Sequence, residues 1–206
     1  EAISVIAIAH EGAFYATEAH YMNKLAWGPL TAQKGGLHIR DPIEETIQKV
    51  SRALGKPANK ITVCILDRPR HEKLIAMLRG LSVRIKLIQD CDVSGAIATC
   101  LEESGIDLLS GVGGAPEAVI TACAIKCLRG GFQAQLCDDD GKVSDPKVLE
   151  IEALVSGHCA LVATGVTDGS LLKGVRYTSC GPITHSVFMR SESGTVRWLI
   201  TNHGKS

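Results

Sequence analysis

The stretch Asp107-Leu-Leu-Ser-Gly-Val-Gly-Gly-Ala-Pro-Glu117 decides how the chain is read, because it runs an apolar strand into a glycine turn and then into a helix opened by Pro116 and Glu117. Glycines let backbone N–H groups approach an anion, a helix N-terminus adds partial positive charge, and proline suits the first helical position, where no donor is needed. A carboxylate there repels a bare phosphate. Glu117 makes sense beside a divalent cation that bridges it to phosphate oxygens. The segment predicts a phosphate cradle with a metal ligand at its rim.

Working outward, strands are expected at 62–66, 83–88 and 106–109, each followed by a helix, at 72–79, 94–101 and 118–128. This βα alternation at roughly 22-residue spacing implies parallel strands with right-handed crossovers. Further strands at 132–136 and 159–163, a short helix at 170–173 and a closing hairpin of 184–189 with 195–201 make the sheet mixed, so the fold class is α/β. Upstream, 3–9 and 13–16 read as an antiparallel hairpin about Glu11-Gly12, and Tyr21 to Gly36 as irregular chain. Asp41 is the expected N-cap of a helix with Pro42 at its first position, Glu44 in a capping box, and Ile43, Ile47, Val50 and Leu54 on one face. Residues 1–40 are assigned to the end of an N-terminal sheet region and its connecting segment, and 41–206 to an α/β domain binding substrate and metal.

With 206 residues and 45% hydrophobic content the chain buries one substantial core. Its net charge is zero and its charges are interspersed, which argues against nucleic-acid and membrane-surface partners. The opening Glu1 to Ala9 lacks a basic n-region and ends at His10-Glu11, so it reads as a core-type strand and the chain as a possible fragment. Eight cysteines without a CxxC pair point to buried thiols in a reducing cytoplasm. Cys123 and Cys127 share a helix face but, with no Cys or His pair elsewhere at ligand spacing, they read as core. No HExxH motif supports zinc.

In open α/β sheets ligands bind beyond the carboxyl ends of the strands, and four segments are expected to converge there. Arg68 and Arg70 flank Pro69 and present guanidinium forks suited to phosphate. Asp90-Cys91-Asp92 offers two carboxylates to sugar hydroxyls or a metal, although Asp92 also reads as a helix cap. The glycine cradle with Gly114 and Glu117 is the third. Thr164 to Gly169 is the fourth, with ordinary turn chemistry as its plainer reading. Asp138 to Asp140 reads as a solvated loop, and Tyr21 as a packing residue. Pro116 stands where a dinucleotide fingerprint needs a small residue, no Gly-Lys-Ser/Thr follows, and no GxSxG elbow is present.

Taken together, Asp67-Arg-Pro-Arg-His71, Gly111-Val-Gly-Gly-Ala-Pro-Glu117 and Ala163-Thr-Gly-Val-Thr-Asp-Gly169 resemble the class II fructose-1,6-bisphosphatases, the family shared with bifunctional fructose/sedoheptulose bisphosphatases, over essentially the whole chain. The resemblance implies a layered α/β fold of the lithium-sensitive sugar-phosphatase type. It also implies a cytoplasmic, oligomeric enzyme of gluconeogenesis that uses Mn²⁺ (or Mg²⁺) to remove the 1-phosphate of fructose 1,6-bisphosphate. By motif, Glu117 would be a metal ligand, Gly114 would contact substrate through its backbone, and Arg68, Pro69 and Arg70 would hold phosphate. Asp90, Cys91 and Asp92 would contact the sugar phosphate, as would Tyr21 in a Tyr-Met-x-Lys-Leu motif. The family shows Asp-Gly-Asp where this chain has Cys91 in the middle, Pro-Glu-Gly where it has Ala118, and a longer segment between Leu136 and Cys159. Its other acidic ligand motifs lie N-terminal to the matched region. The N-terminal part of the fold is therefore expected to be missing and the chain alone to be inactive. The alternative readings are a sugar-phosphate-binding remnant, half of a split enzyme, or a nucleotide-binding domain.

Overall fold

A computed structural model describes residues 1–204. Eleven strands and six α-helices are present among them: β1 Ile3–Ala9, β2 Tyr21–Trp27, α1 Pro29–Lys34, α2 Ile43–Leu54, β3 Thr62–Leu66, α3 Glu72–Gly80, β4 Arg84–Ile88, α4 Asp92–Ala98, β5 Leu108–Gly114, α5 Ala115–Cys127, β6 Gly131–Cys137, β7 Leu149–Glu150, α6 Ile151–Leu154, β8 Cys159–Gly165, β9 Arg176–Thr178, β10 Gly181–Arg190 and β11 Thr195–Asn202. They form a mixed six-stranded sheet in the order β4-β3-β5-β2-β6-β7, and a five-stranded antiparallel sheet in which β1-β8-β10-β11 follow one another and β9 pairs with β10. The layered α/β architecture with a mixed sheet is the one expected.

Helix α5 explains the layering. Ala115, Ala118, Thr121, Ala122, Cys123, Ala124, Ile125 and Cys127 are all buried, so beyond its first turn the helix is apolar around its circumference and needs a covering on every side. It packs on β2, β5 and β6 of one sheet and on β1, β8 and β10 of the other, with α4 and α6 beside it. Four alanines in this set keep both sheets close. On the outer face of the six-stranded sheet, Ile43, Ile47 and Val50 of α2 and Leu78 of α3 close a second core over Leu25, Trp27, Val63 and Leu108.

The period-2 pattern of β2 divides these cores: Met22 and Ala26 face α5, whereas Leu25 and Trp27 face α2. Lys24 falls on the α5 face and is 1% exposed. Its Nζ meets Asp92 Oδ2 at 2.6 Å, at the start of α4. A Cβ on Gly113 would collide with that carboxylate oxygen and lie 2.9 Å from Lys24 Nζ, which explains glycine at this point of β5.

The structure departs from expectation at several elements. β1 pairs with β8, not with 13–16; Phe14 makes only an isolated bridge to Val155. Tyr21 to Trp27 is a central strand between β5 and β6, hidden in the sequence by a lysine whose partner is 68 residues away. Residues 111–114 continue β5, paired with β2 up to Tyr21↔Gly114, instead of forming a loop. Asp41 does not cap α2: its carboxylate accepts from His38 N and Lys49 Nζ, and Pro42 occupies the cap position. α4 starts at Asp92 and ends at Ala98, since Gly95 lets it close against Cys64 and Leu109 while Thr99 turns back on Ala96. Residues 170–173 form no helix; 170–172 are bends held by Glu1 accepting from Ser170 N and Leu171 N.

Removing one partner of a buried pair leaves an uncompensated charge. Lys24→Met is expected to lower unfolding stability by about 3–5 kcal/mol, and adding Asp92→Leu to restore most of it. Urea denaturation of the two variants checks this.

Candidate functional site

Strand β3 pairs in parallel with β5 only at Val63↔Leu108 and Cys64↔Leu109, after which the two diverge. The gap opens beyond Leu66 and Ile88, where β3 and β4 end together, and the segments leaving β3, β4 and β5 all emerge on its rim. A cavity of about 410 Å³ results, lined by Arg68, Arg70, Asp90, Cys91, Asp92, Gly114 and Glu117 among others.

His71 holds this gap open. It is 3% exposed, and its ring bridges the diverging strands: Nδ1 lies 2.7 Å from Leu66 O, and Nε2 accepts from Val112 N at 2.8 Å. Both bonds require the neutral ring protonated on Nδ1. Gly111, at φ 140°, gives the ring room, since a Cβ there would lie 2.9 Å from Nε2. Burial, then the nearby Arg70 and Arg68 charges, keep the His71 pKa below its ordinary value, against the opposing bond to Leu66 O. The preceding residues Pro69–His71 form a 3₁₀ turn with Pro69 at its start, so both arginines are presented from a stiff loop.

Each arginine has a carboxylate partner at the surface. Arg68 Nη2 donates to Asp90 Oδ1 at 3.1 Å, and Arg70 Nη1 to Asp139 Oδ1 at 2.6 Å. Arg70 also stands 5.2 Å above the Tyr21 ring centroid, and its buried Nε has no hydrogen-bond partner. Because Asp90 and Asp139 are mostly exposed, these pairs contribute little to stability.

Asp92 is not a helix cap; Cys91 occupies that position, with φ 66° and ψ 61°, and the Asp92 carboxylate goes to Lys24. Cys91 thus adopts the left-handed conformation that glycine takes without strain. Glu117 lies in the first turn of α5, exposed at the cavity mouth, and folds back over Gly114. Among the described residues it is the only carboxylate lining the cavity without an ion-pair partner.

Thr164 to Gly169 does not line the cavity. Thr164 bonds Ser186, and Thr167 Oγ1 accepts from Ala2 N, so this segment fastens the chain's first residues to the five-stranded sheet. Asp138 to Asp140 is more than a solvated loop, because Asp139 reaches Arg70. Lys24 and His71 are the positioning residues that the motif reading passed over. A lysine inside an otherwise apolar strand was the available signal for the first; nothing local marked the second.

The family described as "Bacterial fructose-1,6-bisphosphatase, glpX-encoded" matches residues 1–203. The chain belongs to this bacterial fructose-1,6-bisphosphatase family. Proteins of two cyanobacteria, Synechococcus sp. (strain JA-3-3Ab) and Microcystis aeruginosa (strain NIES-843 / IAM M-2473), are each named D-fructose 1,6-bisphosphatase class 2/sedoheptulose 1,7-bisphosphatase. This family member is 36% identical to the first over 226 residues and 35% identical to the second over 224, in both cases across 98% of its own length. It spans 65% and 64% of those relatives. No helix among the described residues is long and apolar enough to cross a membrane.

Two outcomes follow. Cys91→Gly relieves the left-handed strain and, after the entropy glycine returns to the unfolded chain, is expected to raise stability by about 0.5–1 kcal/mol in urea unfolding. Since the folded His71 pKa lies below 6.5, the unfolded state binds more protons beneath that value. Its contribution is present above pH 6.5 and declines as pH falls through the folded pKa, so the wild-type stability profile minus that of His71→Gln should slope only below about 6.5.

Proposed function

We propose that this chain carries the substrate-binding part of a sugar bisphosphatase acting on fructose 1,6-bisphosphate, with the corresponding sedoheptulose bisphosphate as the related substrate. The reading is supported above all by the meeting of Arg68, Arg70, Asp90, Asp92, Gly114 and Glu117 in one cavity at the ends of β3, β4 and β5. Arg68 and Arg70, stiffened by Pro69, bind one phosphate as paired forks. Tyr21 supports Arg70 from its ring face, and the 90–92 turn meets the sugar through Asp90, with Cys91 narrowing the turn and Asp92 held by Lys24. The Gly114 backbone closes on the sugar at the start of α5.

Mn²⁺ or Mg²⁺ would find in Glu117 a hard oxygen donor, but such ions take about six oxygens and one free carboxylate is a partial set. The ion, when bound, supplies neutralisation of phosphoryl oxygens. Glu117 would contribute one ligand, while the arginines hold the phosphate and Asp92, committed to Lys24, stays out of the metal shell. A cytoplasmic homo-oligomer working in gluconeogenesis is the setting that goes with this reading. The partial ligand set favours one second reading, a sugar-phosphate binder that is not itself catalytic or that forms half of a split enzyme.

Calorimetry with fructose 1,6-bisphosphate tests the binding assignment. Losing a charge-assisted hydrogen bond costs about 1.5–3 kcal/mol, so Arg70→Met is expected to weaken binding roughly 10- to 100-fold. Unchanged affinity would overturn the arginine assignment. Phosphate release with Mn²⁺ is expected to be absent from this chain alone and to appear when an N-terminal segment of a cyanobacterial relative is supplied. Release that survives Glu117→Gln in that mixture removes Glu117 from the metal shell, and binding with no release even when the segment is present selects a binder that is not itself catalytic.

A further inference from the structure

Where α5 meets the five-stranded sheet, three sulfurs come together, none of which lines the cavity at the ends of β3, β4 and β5. Cys123 and Cys127 stand one turn apart on α5, and Cys159 is the first residue of β8. Their Sγ atoms all lie within 4.8 Å of one another, with Cys127 and Cys159 at 4.0 Å. They are 0%, 2% and 5% exposed, and no His, Asp or Glu among the described residues joins the set. The S–H groups have weak backbone acceptors: Cys123 Sγ donates to Ala160 O at 3.3 Å, Cys127 Sγ to Cys159 O at 3.6 Å and Cys159 Sγ to Cys123 O at 3.6 Å.

We propose that Cys123, Cys127 and Cys159 form a binding site for a thiophilic closed-shell cation of the Zn²⁺, Cd²⁺ or Cu⁺ class. With metal–sulfur bonds of about 2.3 Å, three ligands around one ion require S···S separations of roughly 4.0 Å in a trigonal plane and about 3.8 Å in a tetrahedral arrangement. The Cys127–Cys159 separation already has the trigonal value, and the upper bound of 4.8 Å asks less than an ångström of movement from the others. Thiolate sulfur selects such ions over Mn²⁺ and Mg²⁺, which prefer oxygen. The site therefore does not compete for a hard cation at Glu117.

Binding forms three metal–sulfur bonds and releases the thiol protons to solvent, so affinity rises with pH. Three thiolates around a divalent ion leave one negative charge. Lys126 lies on the same helix, with its Nζ 2.7 Å from Glu152 Oε1 and donating to Val155 O, so its charge is already paired. Access is from the start of β8. The exposed Gly157 and His158 precede Cys159, whose strand end is held to Ser191 by two hydrogen bonds, Cys159 N to Ser191 Oγ at 2.8 Å and Ser191 N to Cys159 O at 2.9 Å. A bound ion ties α5 to β8, the contact by which one sheet is layered on the other.

Cadmium titration of the metal-free protein, reduced with a thiol-free reductant, tests the proposal. Expected are one tightly bound Cd²⁺ per chain, thiolate-to-metal charge-transfer absorption, proton release, and a rise in Tm. Cys123→Ala, Cys127→Ala and Cys159→Ala should each cost more than the roughly 100-fold that loss of an outer-shell partner costs, while Cys64→Ala and Cys180→Ala leave binding unchanged. X-ray absorption at the cadmium edge of the wild-type protein needs no variant to fold: three sulfur neighbours support the site, and an oxygen-dominated shell overturns it. Binding that persists in Cys159→Ala, or recovery of a Cys127–Cys159 disulfide in place of bound ion, also overturns it.

Discussion

The ion pair between Lys24 and Asp92 is the constraint to which the other features of the α5 side are fitted. Taking two charges out of water costs several kcal/mol per ion and is offset only when the partners meet at close range. At 2.6 Å they do, and the consequence reaches through β2. A slip of one residue in its pairing with β5 or β6 would turn Lys24 onto the apolar face occupied by Leu25 and Trp27. The pair thus pins the register of the central strand. It also excludes a side chain at Gly113 and places the start of α4, with Asp90 to Asp92, at the floor of the cavity.

The second constraint is α5. Beyond its exposed first turn the helix is apolar on all sides and must be covered on all sides, and its alanines allow two sheets to approach it at once. Because β5 runs directly into this helix at Gly114–Ala115, the first turn is delivered to the end of the six-stranded sheet, with Glu117 on its exposed side. The far turns bring Cys123 and Cys127 to β8. One helix therefore connects the cavity at the ends of β3, β4 and β5 to the sulfur cluster, and both regions inherit their geometry from the same packing.

Membership of the bacterial fructose-1,6-bisphosphatase family and the shape of the cavity bear on different questions. Family membership rests on sequence along the chain and is insensitive to Cys91 or to the number of free carboxylates. The cavity is sensitive to both. Its arginines lie on a stiff loop held by His71, a built feature that suits an anionic ligand, whereas its acids are largely committed to Lys24 and Arg68.

The sequence alone was enough for the βα alternation from β3 to α5, the closing hairpin β10–β11 and the segments 68–70, 90–92 and 114–117, because local periodicity and turn residues encode them. Tertiary structure decided what depends on partners distant in the chain. β2 is a strand because Lys24 finds Asp92; residues 111–114 extend a strand because β2 pairs with them; Asp41 turns from cap to ion-pair partner of Lys49. The segment 164–169 has the composition of a binding loop, yet it is drawn to the first residues of the chain by β1 pairing with β8. Cys159 joins Cys127 across 32 residues through packing alone, for which linear spacing carries no signal.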